Sequence, residues 1–522
     1  MRRVMAVLVG LVGLVGAPLV MVMLTSPAAE ALTTITVTNN SDALAGSLRA
    51  AFVTASATAD DVEIDIPASV GPINVTSGQL SYTGTHALTL KGNGNTLTRT
   101  TVAARVIDSG STGLLTVDDL TITGGTTAGG GGGIGANGAV TVTNSTISGN
   151  HAATGGGIFA SGAVAVTNST ISNNTTSGDG GGIFVGGAVT VTNSTVSSNT
   201  ATGGIAGGGG GGILALGMVT VTNTAITGNH ATAVGNAGGF GGGIGIRSPF
   251  ASGVTVTNST ISGNTASIEG GGIDAQGALT VTNSTISGNT SGRGGAIDNG
   301  GAVTVTNSTI SGNTGTGTGG ITASGPITVT TSTISGNTGG DGGGGGIGAG
   351  GTVTLVYATV VGNSATTGSN VRLEGGNESL TSFGSVVALP LGGGANCALN
   401  GNPSTSHGFN LEDDAAASCG FSTASGDPAP GTSSGLNGVV LANNGGSTLT
   451  LLPPSGSALI DAIPPAHCSD DGASTISPLV DQIGVTRPQG AGCEIGAKED
   501  PVSAPSAATP TGGVAPTARF TG

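Results

Sequence analysis

The most regular feature of the chain is an alternation of valine and threonine that returns at nearly constant intervals. Its template is Val140-Thr141-Val142-Thr143-Asn144-Ser145-Thr146-Ile147-Ser148-Gly149-Asn150. A period of two predicts a β-strand whose valines face inward and whose threonines face outward. A second short strand is predicted at Ile147 and a third at Ile158, each bounded by Gly or Asn where the backbone turns. Three strands per repeat predict a three-sided coil.

Copies of this template recur at steps of 24, 25, 30, 35, 25, 24, 24 and 26 residues. One coil of about 24–25 residues per repeat, stacked on the next, predicts an all-β solenoid, the right-handed parallel β-helix. Each coil buries only about four aliphatic side chains and therefore depends on its neighbours. The longer steps place Gly-rich insertions at 203–212 and 235–243, which we expect to form surface loops at one corner.

Two asparagine columns accompany the repeat. Side-chain amides stacked at a turn hydrogen-bond from coil to coil, so both columns are predicted to be asparagine ladders. The copies of Asn144-Ser145-Thr146 also match the N-glycosylation pattern, an alternative that is disfavoured because a ladder asparagine is unavailable for modification. The first column contains Asn144, Asn168, Asn193, Asn223, Asn258, Asn283 and Asn307, and continues as Thr331 and Tyr357. The second contains Asn150, Asn174, Asn199, Asn229, Asn264, Asn289, Asn313, Asn337 and Asn363.

The composition fits a solenoid better than an ordinary compact core. The 522 residues include 103 glycines, only 2% are aromatic and only 7% are charged. Stacked short strands bury a narrow column of small aliphatics and need few aromatics. The net charge is -15 and the chain has 12 Lys and Arg residues, so no nucleic-acid partner is expected.

The two ends of the chain depart from the repeat. Arg2 and Arg3, an apolar run over 4–24 and the sequence Ala29-Glu30-Ala31 predict a secretory signal peptide; an uncleaved anchor helix is the alternative. We expect a secreted, extracellular protein, free or associated with the cell surface, with no membrane span in the mature chain. The predicted organisation is a signal peptide (1–31), an N-terminal cap with the first coils (32–125), regular β-helix repeats (126–365), C-terminal coils with a closure (366–500), and a disordered Pro/Ala/Thr tail (501–522).

All four cysteines fall late in the chain. They are Cys397, Cys419, Cys468 and Cys493. An exported protein meets an oxidising compartment, so two structural disulfides are predicted. Three connectivities are open, of which pairing between neighbours in the sequence is favoured.

Several motifs resemble known families. Gly-Gly-Gly-Ile at 155–158 and Ile-Ser-Gly-Asn at 147–150 resemble the repeats of polymorphic outer-membrane proteins and of the pectate-lyase-like β-helix superfamily. Ile-Thr-Val-Thr-Asn-Asn at 35–40 followed by Gly-Ser-Leu-Arg-Ala-Ala at 46–51 is similar to the opening of secreted β-helix proteins with a Ser-Leu-Arg motif. That resemblance implies a short helix that caps the open end of the coil, where unpaired strand edges would otherwise be exposed.

The C-terminal part resembles the choice-of-anchor Q domain. The resemblance implies a segment that closes a β-helix and is often followed by a surface anchor. After Asp500 we find neither a sorting motif nor an apolar anchor helix, which favours free secretion. The matching motifs are Gly-Phe-Asn-Leu at 408–411, Asn-Asn-Gly-Gly-Ser-Thr at 443–448, Gly-Ser-Ala-Leu-Ile-Asp-Ala at 456–462, Asp-Gln-Ile-Gly-Val-Thr-Arg-Pro at 481–488 and Cys-Glu-Ile-Gly-Ala at 493–497.

One group of charged residues recurs in register. Asp274 and Asp298 each follow an inward isoleucine and are 24 residues apart, so they are predicted to lie one above the other at about 4.8 Å. Glu269 and Arg293 stack likewise, and Asp179 belongs to their column. Close carboxylates beside an arginine suit glycosidic cleavage or cation binding. The competing interpretation is a solvated face on which Arg293 merely balances the acids.

Other polar residues suggest no cofactor or metal. His151 and His230 each follow a ladder asparagine but lie three coils, or about 14 Å, apart, so we expect them to face solvent and not to share a metal ion. The outward threonines form a flat array that resembles β-solenoid ice-binding proteins, although Ala165 interrupts it and threonine is also simply a good strand residue. The pairs are Thr141/Thr143, Thr190/Thr192, Thr220/Thr222, Thr255/Thr257, Thr280/Thr282, Thr304/Thr306 and Thr328/Thr330.

These patterns favour a non-catalytic, adhesin-like scaffold whose extended face or corner loops bind extracellular polysaccharide or a cell surface. The first alternative is a polysaccharide lyase or glycoside hydrolase that uses Asp274, Asp298 and Arg293, with Glu269 beside them. The second alternative is ice binding through the threonine array.

Overall fold

The computed structural model describes residues 32–100, 103–203, 209–232, 239–247, 252–421, 426–469 and 480–500. The predicted signal peptide, the predicted tail and the centres of both Gly-rich insertions (204–208 and 233–238) lie outside the described residues.

The chain forms a parallel β-helix whose strands lie in three sheets, here called sheets I, II and III; each regular coil contributes two strands to sheet I and one to sheet II. This confirms the predicted fold class. Successive coils pair in parallel without a shift: Val140 pairs with Val164, which pairs with Val189. The coils between His151 and Gly315 add a two-residue strand that the sequence pattern did not indicate.

The strand bounds follow the repeat. Among the described residues, sheet I has 27 strands: Leu32–Thr36, Asp61–Asp65, Ile73–Val75, Leu88–Arg99, Leu115–Thr123, Val140–Thr143, Thr146–Ser148, Val164–Thr167, Thr170–Ser172, Val189–Thr192, Thr195–Ser197, Val219–Thr222, Ala225–Thr227, Val254–Thr257, Thr260–Ser262, Leu279–Thr282, Thr285–Ser287, Val303–Thr306, Thr309–Ser311, Ile327–Thr330, Thr333–Ser335, Val353–Val356, Thr359–Val361, Leu380–Phe383, Val386–Ala388, Ser404–Ser406 and Leu411–Glu412.

Sheets II and III are built from shorter strands. Sheet II has 13 in the described part of the chain: Leu80–Tyr82, Ile107–Ser109, Ile134–Ala136, Ile158–Ala160, Ile183–Val185, Ile213–Ala215, Ile244–Ile246, Ile273–Ala275, Ile297–Asn299, Ile321–Ala323, Ile347–Ala349, Val371–Leu373 and Cys397–Ala398. Sheet III has seven there: His151–Ala152, Thr175–Thr176, Thr200–Ala201, His230–Ala231, Thr265–Ala266, Thr290–Ser291 and Thr314–Gly315.

The core is a column of aliphatic side chains. Val140, Val142, Ile147 and Ile158 are all buried, as are their counterparts in the other coils. Each contributes about 1.5–3 kcal/mol by leaving water, which is small against the entropy lost in ordering a coil. Stability therefore comes from stacking, as in other solenoids.

The second asparagine column is a buried ladder. Asn264 donates from Nδ2 to Oδ1 of Asn289 at 3.0 Å and to the carbonyl of Ile226 at 2.9 Å, while its own Oδ1 accepts from the backbone and side chain of Asn229. The same bonds repeat from Asn150 to Asn363. Each amide is thus fully used inside the protein.

The first asparagine column has a different role. Asn144 and Asn258 have φ near +50°, and the other asparagines of the column share that conformation. Their side chains are joined at only some steps, for example from Asn168 to Asn144 and from Asn223 to Asn193. The column therefore supplies the left-handed turn between two strands of sheet I, a conformation that Asn tolerates better than most residues.

A helix covers the N-terminal end. Helix α1 spans Leu48–Ala57, and the side chain of its N-cap residue Ser47 accepts a hydrogen bond from the backbone of Ala50. Leu48, Ala51 and Phe52 are buried against the first coils. The cap expected from the Ser-Leu-Arg motif is therefore present. One-turn 3-10 helices lie at Ala68–Val70 and Pro465–His467, and none of the helices in the described residues has the length and apolar character to cross a bilayer.

The two disulfides pair neighbours in the sequence, Cys397 with Cys419 and Cys468 with Cys493, which confirms the favoured connectivity. The first ties the last strand of sheet II to a segment whose Phe421 completes the main core. That segment is held by Glu412, whose carboxylate accepts from the backbone of Cys419 and Phe421.

The remaining C-terminal segment packs on the outer face of sheet I. In the last coils, outward positions become apolar: Val356, Val361 and Val386 stand where earlier coils carry threonine or serine. Tyr357, at the ninth place of the first asparagine column, donates to the carbonyl of Cys468 at 2.8 Å. The position at which Tyr357 replaces the asparagine of this column is therefore part of the surface on which the C-terminal segment docks.

Candidate functional site

Sheet II has an outward row made of the middle residue of each strand. The first and third residues fill the core, and the middle one points away from it, because side chains alternate along a strand. These residues pair in register from coil to coil. The outward row contains Ser81, Asp108, Gly135, Phe159, Phe184, Leu214, Gly245, Asp274, Asp298, Thr322, Gly348, Arg372 and Ala398.

A flanking row lies beside it, four residues before the inward isoleucine of each coil and five before the outward residue. Phe240 pairs with Glu269, which pairs with Arg293. Asp179 occupies the same position two coils before Phe240, with Gly209 between them. The structure therefore brings together Asp274, Asp298, Glu269 and Arg293, and places Asp179 further along the same row.

Asp274 and Asp298 are paired in register, but they do not lie on a solvated face. Only 4% of Asp274 and 7% of Asp298 are exposed. Arg293 extends from the flanking row towards Asp298, with Nε 3.4 Å from Oδ2 of Asp298 and Nη1 3.6 Å from Oε1 of Glu269. The expectation of a solvated charged face is therefore wrong for these two residues, whose short side chains are buried between the neighbouring coils and the flanking row.

Burial changes the protonation of the pair. Burial, reinforced by the charges of Asp298 and Glu269, raises the pKa of Asp274 to about 8. Burial also raises the pKa of Asp298 to about 7, although Arg293 opposes the shift. The ion pair with Arg293 lowers the pKa of Asp298, whereas burial raises it. Burial dominates because the guanidinium is half-exposed and makes no hydrogen bond to Oδ2. At neutral pH Asp274 therefore holds a proton.

Polar atoms on this row are buried without hydrogen-bond partners. Within the described residues these include Oδ1 of Asp274, Oδ2 of Asp298, Oγ1 of Thr322, and Nε and Nη1 of Arg372. Most buried polar groups in proteins are hydrogen-bonded, and exceptions mark places where water, an ion or a ligand completes the site. On the outward row they lie on three consecutive coils, at Asp274, Asp298 and Thr322, and again at Arg372 two coils later; other such atoms lie away from the row, for example on Glu494.

The outward row is apolar between Phe159 and Leu214. The rings of Phe159 and Phe184 stack in parallel with centroids 5.5 Å apart and an interplanar angle of 3°. Leu214 follows them, and Phe240 of the flanking row lies under the guanidinium of Arg247 at 5.1 Å. The site thus combines an aromatic platform with a polar segment.

Phe159, Phe184, Thr322 and Arg372 were not predicted as site residues from the sequence. Their signal in the sequence is that each directly follows the inward Ile or Val of its coil, as Asp274 and Asp298 do. This offset defines the whole row, whatever the residue type.

The histidines lie elsewhere. His151 and His230 are exposed in one column of sheet III, separated by Thr175 and Thr200, as expected. Nδ1 of His151 is 2.9 Å from Oγ1 of Thr175. In the described part of the chain, no three His, Cys, Asp or Glu residues converge in a way that could hold a metal ion.

The threonine pairs stack in register on sheet I. Thr255 pairs with Thr220 and with Thr280, and the column passes through Ala165. The C-terminal segment covers this sheet at Thr309 and Thr333, which bond to the carbonyl of Leu449 and to Gln482. Ice binding by the uncovered part stays a prediction, which thermal hysteresis and its loss on Thr255→Lys would test.

Comparisons with known proteins concern the same coils. Residues 182–381 match the family model described as a right handed beta helix region, which contains Asp274, Asp298, Thr322 and Arg372. No curated protein matches the sequence. Among solved structures, the crystal structure of pectate lyase Pel9A is similar, with 15% identity, a TM-score of 0.28, and coverage of 90% of this chain and 96% of that chain.

Proposed function

We propose that the protein is an exported β-helix that binds a glycan along the outward row of sheet II. The observation that carries the proposal is the succession of buried polar atoms without partners from Asp274 through Thr322 to Arg372. Leaving such a group unpaired costs about 1–3 kcal/mol, so a ligand that satisfies several of them gains correspondingly. A glycan offers hydroxyl groups that donate and accept at regular intervals.

The shape of the row supports an extended ligand. Neighbouring coils are about 4.8 Å apart, so the row from Phe159 to Arg372 is a straight track of several coils. The stacked rings of Phe159 and Phe184 form an apolar surface on which the C–H groups of a sugar can pack. The track thus has the mix of apolar lining and few polar groups that is typical of ligand sites.

Export and the role of the C-terminal segment belong to the same proposal. The predicted signal peptide at 1–31 and the two disulfides favour an oxidising, extracellular compartment. The resemblance of the C-terminal motifs to the choice-of-anchor Q domain favours a protein at or near the cell surface. The described contacts of the docked C-terminal segment, at Thr309, Thr333 and Thr359, lie on sheet I and not on sheet II.

A panel of immobilised glycans, followed by titration of the best ligand, tests the binding function. Thr322→Val removes the unpartnered hydroxyl without changing the shape, and we expect affinity to fall by about 2-fold to 10-fold, the value of one hydrogen bond. Thr304→Val is the matched control on the exposed face of sheet I and should bind like the parent protein. If no glycan binds, or if both variants bind equally, the proposal fails.

A second candidate function is cleavage of the bound glycan by hydrolysis. The observation that favours it is that Asp274 is protonated at neutral pH while its neighbour Asp298 titrates near neutrality. One carboxylic acid and one carboxylate are the pair that glycoside hydrolysis uses. The purified protein should then release product from a polysaccharide, and Asp298→Asn should abolish that release. Absence of product across a broad panel, or unchanged activity of Asp298→Asn, would reject hydrolysis while leaving binding intact.

A further inference from the structure

The middle of the outward row carries an excess of negative charge. The carboxyl groups there are Asp179, Glu269, Asp274, Asp298 and Glu374, and the guanidinium groups are Arg247, Arg293 and Arg372. Five acids face three bases. Burial raises the pKa of Asp274 to about 8 and that of Asp298 to about 7, so this pair holds protons in the free protein. A positively charged group brought by a ligand would relieve the imbalance.

The acceptors are arranged for a compact donor. Oδ1 of Asp274 and Oδ2 of Asp298 accept no hydrogen bond from the described residues, and the hydroxyl of Thr322, which is 2% exposed, lies on the next coil without a partner. The three residues follow one another at strand spacing. A primary ammonium group has three donors and no acceptor, so at a coil spacing of about 4.8 Å it can donate to the carboxylates of two neighbouring coils, with the Thr322 hydroxyl one coil further along the row.

A metal ion fits the same atoms less well. A bound cation such as Ca²⁺ takes six to eight oxygen ligands, typically including several carboxylates. The described acidic residues do not converge in any group of three that could hold a metal ion. An ammonium group needs only the acceptors that are present.

We propose that Asp274, Asp298 and Thr322 form a subsite for the primary ammonium group of an amino-sugar polysaccharide. The inference rests on the proposed glycan-binding function and names its ligand class. A sugar is favoured over a lysine side chain because the aromatic platform of Phe159 and Phe184 lies on the same row. Arg293, 49% of whose side chain is exposed, moves aside to admit the ammonium group.

Binding is coupled to proton release. The free pair holds protons at neutral pH, and an ammonium group favours the ionised carboxylates, so each bound ammonium drives at least one proton into solution. A neutral N-acetylated sugar does not favour the ionised carboxylates, so its binding releases no proton. The heat of binding will therefore depend on the buffer for the amino sugar alone.

The test is titration calorimetry of the purified protein at about pH 6, where amines are charged. A β-1,4-linked glucosamine hexamer is compared with its fully N-acetylated counterpart in two buffers of different ionisation enthalpy. We expect at least a 10-fold preference for the free amine, with proton release, and loss of both in Asp274→Asn and in Asp298→Asn. Asp341→Asn removes the same charge from an exposed site and should keep both.

Each other outcome has a defined meaning. If both hexamers bind equally, the ammonium subsite is wrong and glycan binding stands. If Asp341→Asn behaves like Asp274→Asn, the preference reflects bulk charge and the subsite is wrong. If a lysine hexapeptide binds as tightly as the amino sugar, the ligand class is wrong. If neither hexamer binds and no glycan on the panel does, the proposed function itself fails.

Discussion

Two asparagine columns that look alike in the sequence have different structural roles in the protein. Asn264 belongs to the buried ladder and uses its whole amide, whereas Asn258 in the same coil adopts φ near +49° to turn the chain. The repeat predicted hydrogen-bonded ladders for both. It could not separate them because turn conformation is a property of the backbone, and Asn is suited to both roles.

This difference predicts that substitutions at the two columns of one coil change the free energy of unfolding by very different amounts. Asn264→Ala leaves the carbonyl of Ile226 and the amides of Asn229 without their partner, so we expect a loss of about 2–5 kcal/mol in the free energy of unfolding. Asn258→Gly keeps the positive φ at little cost and should change stability by less than about 1 kcal/mol. Urea unfolding measures both, and equal losses would contradict the assignment of roles.

The acid pair predicts how stability depends on pH. Because the folded pKa values of Asp274 and Asp298, about 8 and about 7, lie above the ordinary value of 3.8, the folded state holds more protons than the unfolded state between about pH 4 and pH 8. Stability due to the pair is thus present at low pH and is lost as pH rises through 7 and 8.

The double variant Asp274→Asn, Asp298→Asn has no such protons to lose. From about pH 5 to about pH 8.5, the parent protein should lose at least about 2 kcal/mol of unfolding free energy relative to this variant. Other titrating groups, such as Glu494, are common to both proteins and cancel. A difference that does not change with pH would show that the pair is solvated.

At the scale of elements, the outward face of sheet I changes character along the solenoid. Threonine and serine cover it in the middle coils, and apolar residues replace them where the C-terminal segment docks, for example at Val361 and Val386. Gly496 of that segment bonds to the carbonyl of Gly384, and Ala497 bonds to Oγ1 of Thr359. The docked segment is therefore held by a small apolar patch and a few hydrogen bonds.

Val386→Thr should loosen this docking. It restores the residue type of earlier coils and removes about 1–2 kcal/mol of apolar burial from the interface. We expect faster hydrogen exchange in residues 480–500 with unchanged exchange in the middle coils. Thr285→Val, in the same column on the free face, is the control and should leave that exchange unchanged. Uniformly faster exchange along the solenoid would contradict a separately docked segment.

The elements were more predictable than the site. The valine and threonine alternation located the strands of the coil, since period and burial are directly linked, and local pairing of the cysteines followed from their positions. The outward row was harder because it consists of residues as different as Phe184, Asp298 and Arg372, which share only an offset. Their burial depends on side chains of other coils, such as Arg293, and so needs the three-dimensional structure.

At the scale of the whole molecule, the ends and the three sheets of the solenoid differ in what covers them and in which residues they present. Helix α1 covers the first coil, and the segment tied by Cys397 and Cys419 completes the last. Sheet I carries the docked C-terminal segment, and sheet III presents a polar column with His151 and His230. The outward row of sheet II is the part of the described surface where buried polar atoms without partners follow one another along the coils.

A crystal structure of the protein with a bound glucosamine oligosaccharide tests this account most directly. The account predicts sugar density along the outward row of sheet II, with a sugar ring near Phe184 and an amine within hydrogen-bond distance of Asp274 and Asp298. Well-defined sugar on the threonine face of sheet I, or on sheet III with the outward row empty, would contradict it.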